Sequence, residues 1–443
     1  MSRGGTMPEI DHTHDAAAPS WVASANDAGT EFPIQNLPLG VFETERGTGA
    51  RIGVAIGDQV LDLAAALDRG LLPGLQGMAP ALRADSLNAL MARGAADRHR
   101  LRHTVFGLLE AGHSRSAETS GCLVPMALVR MQLPARIGDF TDFFTSIHHA
   151  RRTGELSRPD MPLLPNFRHL PIAYHGRASS VVVSGGPCMR PRGQALGMSG
   201  DTRYVPTQKL DFELEVGCYV GPGNALGETI PLDQAEDHVF GLSLVNDWSA
   251  RDIQRWEAQP LGPFLAKSFT TSVSPWVVTL EALAPFRTAP RRPPGDDAPL
   301  SATLTSTSHA RHGAIEIALQ ALLQTGQMSR DGLAPTPIAQ PRFGDQYWTL
   351  FQMLTHHASN GCNLRSGDLI SSGTVSGPER ADSGCLLELT AGGREPLRLP
   401  SGEERRFLED GDTVVLRGVC RRDGFRTIGF GECRAQVAPA NQE

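Results

Sequence analysis

Residues 211–220 have the sequence DFELEVGCYV, in which acidic and apolar side chains alternate at the start. Successive side chains of a strand point to opposite faces, so Glu213 and Glu215 would project from one face of a sheet. Two neighbouring buried carboxylates are costly unless a cation compensates them. The stretch therefore predicts either a cation site on a sheet or the solvated face of an amphipathic strand, because Phe212 and Leu214 alternate with the glutamates.

The sequence on both sides of this stretch is mainly typical of strands. Further strands are predicted over 180–184, 239–246, 314–319 and 412–419. The dipeptides Asp410-Gly411 and Asp423-Gly424 are typical of turns between such strands. Helices are predicted over 142–152, 247–257 and 345–358. Residues 136–440 are therefore expected to form one mainly β domain with some helix.

The N-terminal third has a different texture. Residues 39–63 predict three short strands, with Gly57-Asp58 as a tight hairpin turn. A helix is predicted over about 82–111, and a Pro-containing segment at 131–139 follows it. We expect a small barrel-like domain over residues 31–135. The polar residues 1–30 are expected to be a flexible tail.

Composition limits the classes of function. The 443 residues carry 41 Lys+Arg against 48 Asp+Glu, a formal net charge of −7, so electrostatic binding to nucleic acid is not expected. No stretch approaches 18 uninterrupted apolar residues, and the N-terminus lacks the apolar segment of a signal peptide. The seven cysteines are scattered, without a C-x-x-C pair, as expected of reduced thiols. We therefore expect a soluble, cytoplasmic protein without membrane or nucleic-acid partners.

Two further acidic positions are candidates for chemistry. Asp142 and His149 are seven residues apart, nearly two helical turns, and would share one face of the predicted helix. Asp247, in LVNDWSARD, stands where an apolar strand gives way to a helix. Each also has an ordinary interpretation, since Asp142 would be favourable near a helix N-terminus and Asp247 would suit a helix cap. A site for a hard cation needs several such oxygens to converge, which spacing alone does not establish.

Eight blocks of the sequence resemble the fumarylacetoacetase family. They include IGDFTDFFTSIHHA at 137–150, DFELEVGCYVGPGN at 211–224, FGLSLVNDWSARDIQRWE at 240–257 and DGFRTIGFGEC at 423–433. The resemblance runs in order from about residue 31 to the C-terminus. It implies a mainly β fold with some α, in which a small SH3-like N-terminal barrel precedes a mixed β-sandwich roll. It also implies a homodimer.

The resemblance assigns a metal site. The family's metal ligands correspond to Asp142, Glu213, Glu215 and Asp247, which would hold Mg²⁺ or Ca²⁺. Lys267 and Thr271 correspond to a second Mg²⁺ position beside Asp247, where a lysine would join through its backbone carbonyl, because an ammonium has no lone pair to donate. Arg251, expected one helical turn after Asp247, and Lys267 would compensate the negative charge.

The resemblance also assigns catalytic and substrate-binding residues. His149 corresponds to the general base, and Glu388 to the carboxylate that orients it. The groups that stabilise the developing charge correspond to Arg251, Gln254 and Lys267. The substrate contacts correspond to Phe144, Arg158, Tyr174, Arg251, Gln254 and Thr374. Phe144 and Ala258 stand where the family has tyrosines, so hydroxyl contacts to the substrate are missing and the substrate could differ in its acyl end.

The function that the resemblance implies is metal-dependent hydrolysis of a carbon–carbon bond in a 1,3-diketo acid. The expected reaction converts 4-fumarylacetoacetate and water to fumarate and acetoacetate, the last step of tyrosine and homogentisate degradation. The alternatives are a related acylpyruvate or diketo-acid hydrolase or decarboxylase, and a non-catalytic member that binds a metal and an acidic metabolite. His149 together with Glu388 favours hydrolysis.

Overall fold

A five-stranded antiparallel sheet forms the N-terminal part of the protein. The structure is a computed structural model that describes residues 9–44, 47, 49–197 and 199–441. In spatial order the strands are Leu123–Pro125, Gln59–Asp62, Arg51–Ile56, Leu39–Thr44 and Val129–Gln132. Ile56 pairs with Gln59, so Gly57 and Asp58 form the two-residue hairpin turn, as predicted. The predicted strands of 39–63 are confirmed.

Helices cover this sheet, and their pattern differs from the single helix predicted over 82–111. They are Leu63–Asp68, Ala79–Leu82, Asn88–Met91, Ala95–Leu109 and Ser116–Ser120. Leu87 donates its amide to Pro134 O (2.9 Å), and Gly94 is the N-cap residue of the 15-residue helix. Glycine is a poor helix former and a tolerated cap, so the chain divides there.

Residues 9–30 pack against the N-terminal domain. Thr13, His14 and Ala25 are buried, and Ser20 Oγ donates to Leu109 O (2.7 Å). The prediction of a flexible tail over residues 1–30 is therefore wrong from residue 9 onward, because buried side chains and long-range hydrogen bonds hold this segment. Residues 1–8 lie outside the described residues.

The C-terminal part contains an eight-stranded sheet, which we call the central sheet. Seven strands follow one another in the order Ile172–His175, Phe140–Phe144, Leu369–Ser371, Leu214–Val220, Val239–Asp247, Thr271–Val273 and Val181–Val183, and Val278–Thr279 also pairs with Val239–Asp247. A second, five-stranded sheet has the order Thr336–Ala339, Ala318–Gln324, Thr413–Cys420, Ile428–Ala438 and Cys188–Met189. The predicted mainly β class with some helix is confirmed, and the N-terminal domain, predicted as an SH3-like barrel, is a half-barrel that precedes a larger β-rich domain.

Short pairs of strands and seven helices complete this part of the described chain. The strand pairs are Arg192–Leu196 with Thr202–Pro206, Leu210–Asp211 with Ser249–Ala250, Arg287–Thr288 with Ala314–Ile315, and Leu397–Arg398 with Glu404–Arg405. The helices are Ile147–Ser157, Arg251–Glu257, Leu280–Leu283, Thr307–His312, Gly326–Arg330, Leu350–Ala358 and Leu386–Leu389. No helix of the described residues combines the length and the apolar composition that crossing a membrane requires.

The two faces of the central sheet have different partners. Val216 and Cys218 belong to the core shared with the second sheet, whereas Tyr219 and Leu369 pack into the core of the N-terminal domain. Side chains two apart on a strand share a face, so Glu215 lies on the same face as Tyr219. This face packs against the N-terminal domain at one end and carries acidic side chains at the other.

The predicted helix over 142–152 is wrong at its start. Residues Phe140–Phe144 form a strand that pairs with Ile172–His175 on one side and with Leu369–Ser371 on the other. The helix begins only at Ile147, after the N-cap Ser146, whose Oγ accepts a hydrogen bond from the His149 amide (3.2 Å). Asp142 and His149 therefore do not share a helix.

Two other helix starts are later than predicted. The helix expected at 345 begins at Leu350, where Thr349 and Gln352 form a capping box. The helix expected at 247 begins at Arg251, because the long strand runs to Asp247 and Ser249–Ala250 pairs with Leu210–Asp211. Arg251 is thus not one helical turn after Asp247.

Candidate active site

Four carboxylates from three strands converge at one end of the central sheet. Asp142, Glu213, Glu215 and Asp247 are all buried, and one oxygen of each lies within 4.8 Å of the oxygens of the other three. We call these residues the acidic cluster. Such an arrangement of oxygens is what a hard divalent cation binds.

Strand register explains the convergence. Asp142 is opposite both Tyr174 and Ser371 in neighbouring strands. Glu215 is opposite Val245, so Asp247, two residues further on, lies on the same face as Glu215. Glu213 immediately precedes the strand that holds Glu215, and its carbonyl accepts the Asp247 amide (3.3 Å).

Lys267 lies between two of these carboxylates. Its Nζ donates to Glu213 Oε2 (2.5 Å) and to Asp247 Oδ2 (2.7 Å). Burial disfavours the charged amine, but Asp247 and Glu213 outweigh burial and raise the pKa of Lys267 above its ordinary value. Lys267 is therefore a fixed cation inside the site.

Arg251 links the acidic cluster to a fifth carboxylate, Asp211. The Arg251 guanidinium donates through Nε to Asp211 Oδ2 (2.9 Å) and through Nη1 to Glu213 Oε1 (2.7 Å). Burial would raise the pKa of Glu213, but the charges of Lys267 and Arg251 hold it well below its ordinary value. Glu213 is therefore an ionised carboxylate with two cationic partners.

Asp142 and Glu215 have no cation hydrogen-bonded to them in the described part of the chain, although Ser371 Oγ donates to Glu215 Oε2. Within the described residues, Asp142 Oδ1 and Glu215 Oε1 are buried without a hydrogen-bond partner. Burial and the Asp247 charge raise the pKa of Asp142 well above its ordinary value, and burial and the Asp142 charge do the same for Glu215.

Five carboxylates, including Asp211, face the two cations Arg251 and Lys267. Three negative charges are thus uncompensated when all five carboxylates are ionised. Two of the carboxylates also have an orphaned oxygen. The donor set therefore fits a divalent cation.

Lys267 and Thr271, which were predicted for a second metal position, both lie against Asp247. Thr271 Oγ1 donates to Asp247 Oδ1 (2.8 Å), and the Lys267 ammonium donates to Asp247 Oδ2. Both Asp247 oxygens therefore already accept hydrogen bonds at this side. Both side chains orient Asp247, and a second metal position that includes the Lys267 carbonyl stays a prediction.

A histidine–carboxylate pair lies on the helices next to the acidic cluster. His149 Nδ1 is 2.6 Å from Glu388 Oε1, and both side chains are buried. Asp211 connects the two groups, because it accepts the amides of Leu386 (2.7 Å) and Leu387 (2.9 Å) at the start of the helix that carries Glu388. The same Asp211 binds Arg251.

Glu388 is held by three further donors. Ser376 Oγ donates to its Oε1 (2.6 Å), Arg152 Nη1 to its Oε2 (3.1 Å), and Cys385 Sγ lies 3.4 Å from Oε1. Burial would raise the pKa of Glu388, but His149, Ser376 and Arg152 lower it to about 2. Glu388 is therefore ionised, and its contact with Nδ1 fixes the His149 ring and leaves Nε2 as the ring nitrogen that Glu388 does not engage.

Known proteins have the same two-part organisation. The model of the fumarylacetoacetate hydrolase C-terminal region matches residues 140–438, and that of the fumarylacetoacetase N-terminal region matches residues 35–134. The chain belongs to the fumarylacetoacetate hydrolase family. This family is metal-dependent, in agreement with the buried acidic cluster.

Relatives in this family are similar to the chain over nearly its whole length. A fumarylacetoacetase of Oryza sativa subsp. japonica is 46% identical, across 93% of this chain and 96% of the relative. The fumarylacetoacetases of Bos taurus and Homo sapiens are each 46% identical, across 95% of this chain and 99% of the relative.

The structure brings most of the remaining predicted residues close to these groups. Tyr174 OH donates to Asp247 Oδ2 (2.7 Å), and Gln254 Oε1 accepts from Arg251 Nη1 (3.2 Å). The Phe144 ring packs edge-on against His149, with centroids 5.2 Å apart. Burial and the Asp247 charge raise the pKa of Tyr174 well above its ordinary value, so its hydroxyl stays protonated.

Thr374 and Arg158 differ from each other in placement. Thr374 is buried just after the strand Leu369–Ser371, and its Oγ1 has no hydrogen-bond partner among the described residues. Arg158 is exposed at the C-terminal end of the helix that carries His149. Within the described residues, no carboxylate of the acidic cluster contacts it. Thr374 is therefore a free donor inside the protein, whereas Arg158 is a surface charge.

Sequence reasoning missed Asp211 and Arg152. Asp211 is two residues before Glu213 in the same alternating stretch, so the periodicity that selected Glu213 and Glu215 also pointed to it. Arg152 is three residues after His149 on one helix, a spacing that places both side chains on one face. Ser376, by contrast, gave no local signal.

Proposed function

We propose that the protein hydrolyses a carbon–carbon bond in a 1,3-diketo acid, converting 4-fumarylacetoacetate and water to fumarate and acetoacetate. The reaction would complete tyrosine and homogentisate degradation. One observation carries the proposal: an acidic cluster with orphaned oxygens lies beside a hydrogen-bonded His149–Glu388 pair. Relatives named fumarylacetoacetase, 42–46% identical to this chain, support the substrate.

The reaction sets clear requirements for the site. The oxygen of water forms a bond to the carbonyl carbon of the fumaroyl group, which becomes the new carboxyl group of fumarate. The carbon–carbon bond then breaks, and its electron pair stays on the acetoacetate carbon, which takes up a proton. The site must therefore accept one proton, donate another and stabilise negative charge on oxygen and carbon.

Asp142, Glu213, Glu215 and Asp247 would hold the metal ion, Mg²⁺ or Ca²⁺, both of which prefer oxygen ligands. When bound, such an ion supplies Lewis-acid polarisation of a chelated carbonyl. Arg251 and Lys267 keep Glu213 ionised as a ligand and limit the excess of negative charge.

His149 is the proposed general base. With Nδ1 bound to Glu388, its Nε2 can accept the proton of the attacking water. Glu388 stabilises the imidazolium that forms, as the buried carboxylate does in other histidine–carboxylate pairs. Arg152 and Ser376 hold Glu388 in place during this transfer.

The remaining polar groups are proposed to bind substrate and stabilise charge. Lys267, Arg251 and Gln254 provide positive charge and donors next to the acidic cluster. Thr374 offers a buried hydroxyl whose donor is unused, and Tyr174 presents a protonated hydroxyl. Phe144 contributes a ring against His149, and Arg158 would have to reach a substrate carboxylate from the surface.

We also propose that the protein is a homodimer and works in the cytoplasm. Apolar side chains are exposed on two segments: Leu196 and Tyr204 on one hairpin, and Leu261 and Phe264 after the helix Arg251–Glu257. Exposed apolar surface is typical of protein–protein interfaces. The seven cysteines are free thiols, which supports a reducing compartment.

Turnover measurements test the proposed reaction. The purified protein with Mg²⁺ should remove the ultraviolet absorbance of enolised fumarylacetoacetate, and exhaustive chelation should abolish this activity until Mg²⁺ or Ca²⁺ is restored. Full activity after chelation would contradict the metal assignment. No turnover in the metal-loaded, folded protein would favour a non-catalytic metabolite-binding role.

A further inference from the structure

A second group of metal-ligating side chains lies on the N-terminal domain, outside the active site. It consists of Asp11, His12, His99 and His103, which we call the histidine cluster. Asp11 and His12 belong to the segment DHTHD at 11–15, and His99 and His103 to HRLRH at 99–103 on the helix Ala95–Leu109. Two histidines four residues apart on a helix face the same way, a spacing that zinc sites use.

Two histidines of the histidine cluster contact one carboxylate oxygen, and the third packs against one of them. Asp11 Oδ2 is 2.7 Å from His103 Nε2 and 3.4 Å from His99 Nε2. The His12 ring stands edge-on to the His103 ring, with centroids 4.8 Å apart. One ligand atom each of Asp11, His12 and His103 lie within 4.8 Å of one another.

These separations are close to those of a four-coordinate metal. Ligand atoms bound tetrahedrally at about 2.0–2.1 Å are separated by about 3.4 Å. The contact from His99 to Asp11 already has this length, and the 2.7 Å contact from His103 would lengthen by about 0.7 Å. His12 is exposed, so its ring can turn toward the other three side chains.

Asp11 is fixed in place through its other oxygen. Asp11 Oδ1 accepts the Thr13 amide (2.8 Å) and the Thr13 hydroxyl (2.7 Å). The carboxylate is therefore pre-oriented, with Oδ2 directed at His99 and His103.

We propose that the histidine cluster binds one Zn²⁺ ion, or a chemically similar borderline divalent metal. Its ligands are a nitrogen of each of His12, His99 and His103, together with Asp11 Oδ2. Three imidazoles and one carboxylate suit Zn²⁺, whereas the all-oxygen acidic cluster suits Mg²⁺ or Ca²⁺. The two sites therefore select different metals.

The position of the histidine cluster gives the metal a structural role. Thr13 lies two residues after the ligand Asp11. Arg102, on the helix that carries His99 and His103, donates to Thr13 Oγ1 (2.9 Å) and to Thr13 O (3.2 Å). His14 in turn contacts Glu281 O (2.8 Å) of the C-terminal domain. A metal at the histidine cluster would hold the N-terminal segment on the helix and so stabilise the contact between the domains.

Cobalt is the probe that distinguishes the two sites, because four-coordinate Co²⁺ with nitrogen ligands absorbs visible light much more strongly than six-coordinate, all-oxygen Co²⁺. The metal-free protein, in excess Mg²⁺ to fill the acidic cluster, should take up one equivalent of Co²⁺ with intense visible absorption. The double variant His99→Ala with His103→Ala should lose this absorption. The control His113→Ala should keep it.

Zn²⁺ affinity provides the second readout. Competition with a chromophoric chelator should show at least ten-fold weaker Zn²⁺ binding in the double variant than in the wild type. If the double variant does not fold, His99→Ala decides, because this side chain is 55% exposed: Zn²⁺ should raise the melting temperature of the wild type and not of this variant. Absence of the intense absorption from the wild type, or its retention without His99 and His103, would overturn the proposal.

Discussion

The active site contains two buried pairs of ionisable side chains that differ in their hydrogen-bond partners. His149 and Glu388 are hydrogen-bonded to each other, and Glu388 is held by Ser376 and Arg152 as well. Asp142 and Glu215 face each other as like charges, and each has an oxygen without a partner among the described residues. The pKa of Glu388 is lowered, which favours its charged form. The pKa of Glu215 is raised, which favours its neutral form.

This difference separates what the protein provides from what it must acquire. A buried charge is tolerated when hydrogen bonds and an opposite charge compensate it, and uncompensated burial costs several kcal/mol. The His149–Glu388 pair meets this condition with protein groups alone. Asp142 and Glu215 meet it only with an added cation, so substitutions in the two pairs should affect different measurements.

The largest expected effect follows from removal of the base. His149→Ala should lower kcat by roughly 10²–10⁴-fold, the usual contribution of a general base, and should leave Mg²⁺ affinity nearly unchanged. His148→Ala should lower kcat much less, because neighbouring helical side chains point about 100° apart. Of the two histidines, only His149 is hydrogen-bonded to Glu388. Steady-state kinetics and calorimetry test this pair. Equal losses from both variants would show that His149 is not the base.

The second effect concerns stability in acid. The pKa of Glu388 falls from its model-compound value of 4.5 to about 2 in the folded protein, so its contribution is complete above about pH 4.5 and disappears as the pH falls toward 2. The whole span corresponds to about 3 kcal/mol. The stability advantage of the wild type over Glu388→Gln should therefore shrink as the pH falls from 6 to 3, measured by denaturant unfolding. A constant advantage would contradict the ionised, hydrogen-bonded carboxylate.

Arg152 should show a smaller effect on catalysis. Arg152→Ala removes a charged donor from Glu388 Oε2, and a hydrogen bond to a charged group contributes about 1.5–3 kcal/mol, so kcat should fall roughly ten-fold or more with little change in KM. Arg152→Lys should restore part of the loss. The exposed neighbour Arg151 provides the control, and Arg151→Ala should be close to wild type. A change confined to KM would place Arg152 at the substrate instead.

The smallest expected effect tests the two missing tyrosines. If fumarylacetoacetate is a poor substrate of the native protein, Phe144→Tyr with Ala258→Tyr should lower KM roughly ten-fold, because a hydrogen bond to a charged substrate is worth about 1.5–3 kcal/mol. If the native protein already turns it over efficiently, the new ring at the end of the helix Arg251–Glu257 should crowd the site and reduce activity. Unchanged kinetics would show that neither position contacts the substrate.

Local sequence patterns predicted those parts of the site that lie within one element. The alternation of DFELEV placed Glu213 and Glu215 together, and Gly57-Asp58 predicted its hairpin. The convergence of Asp142 and Asp247 on them came from the family resemblance and not from spacing. Register between strands that are distant in sequence creates that convergence.

The errors arose where distant partners override local preference. Residues 142–146 are compatible with a helix, but Asp142 pairs with Tyr174 and with Ser371, which a local pattern cannot reveal. The N-terminal segment looks polar and mobile, yet Ser20 binds Leu109 and His14 contacts Glu281. These contacts join residues about 90 or more positions apart.

We propose that Asp142 and Glu215 lack a bound protein cation because they are metal ligands. The most direct test is calorimetric titration of Mg²⁺ into the metal-free wild type, Glu215→Gln and the exposed control Glu155→Gln. Glu215→Gln should weaken Mg²⁺ binding at least ten-fold while the metal-free variant remains folded, since it loses a buried like charge. Glu155→Gln should bind as the wild type does. Unchanged Mg²⁺ affinity in Glu215→Gln would contradict the account.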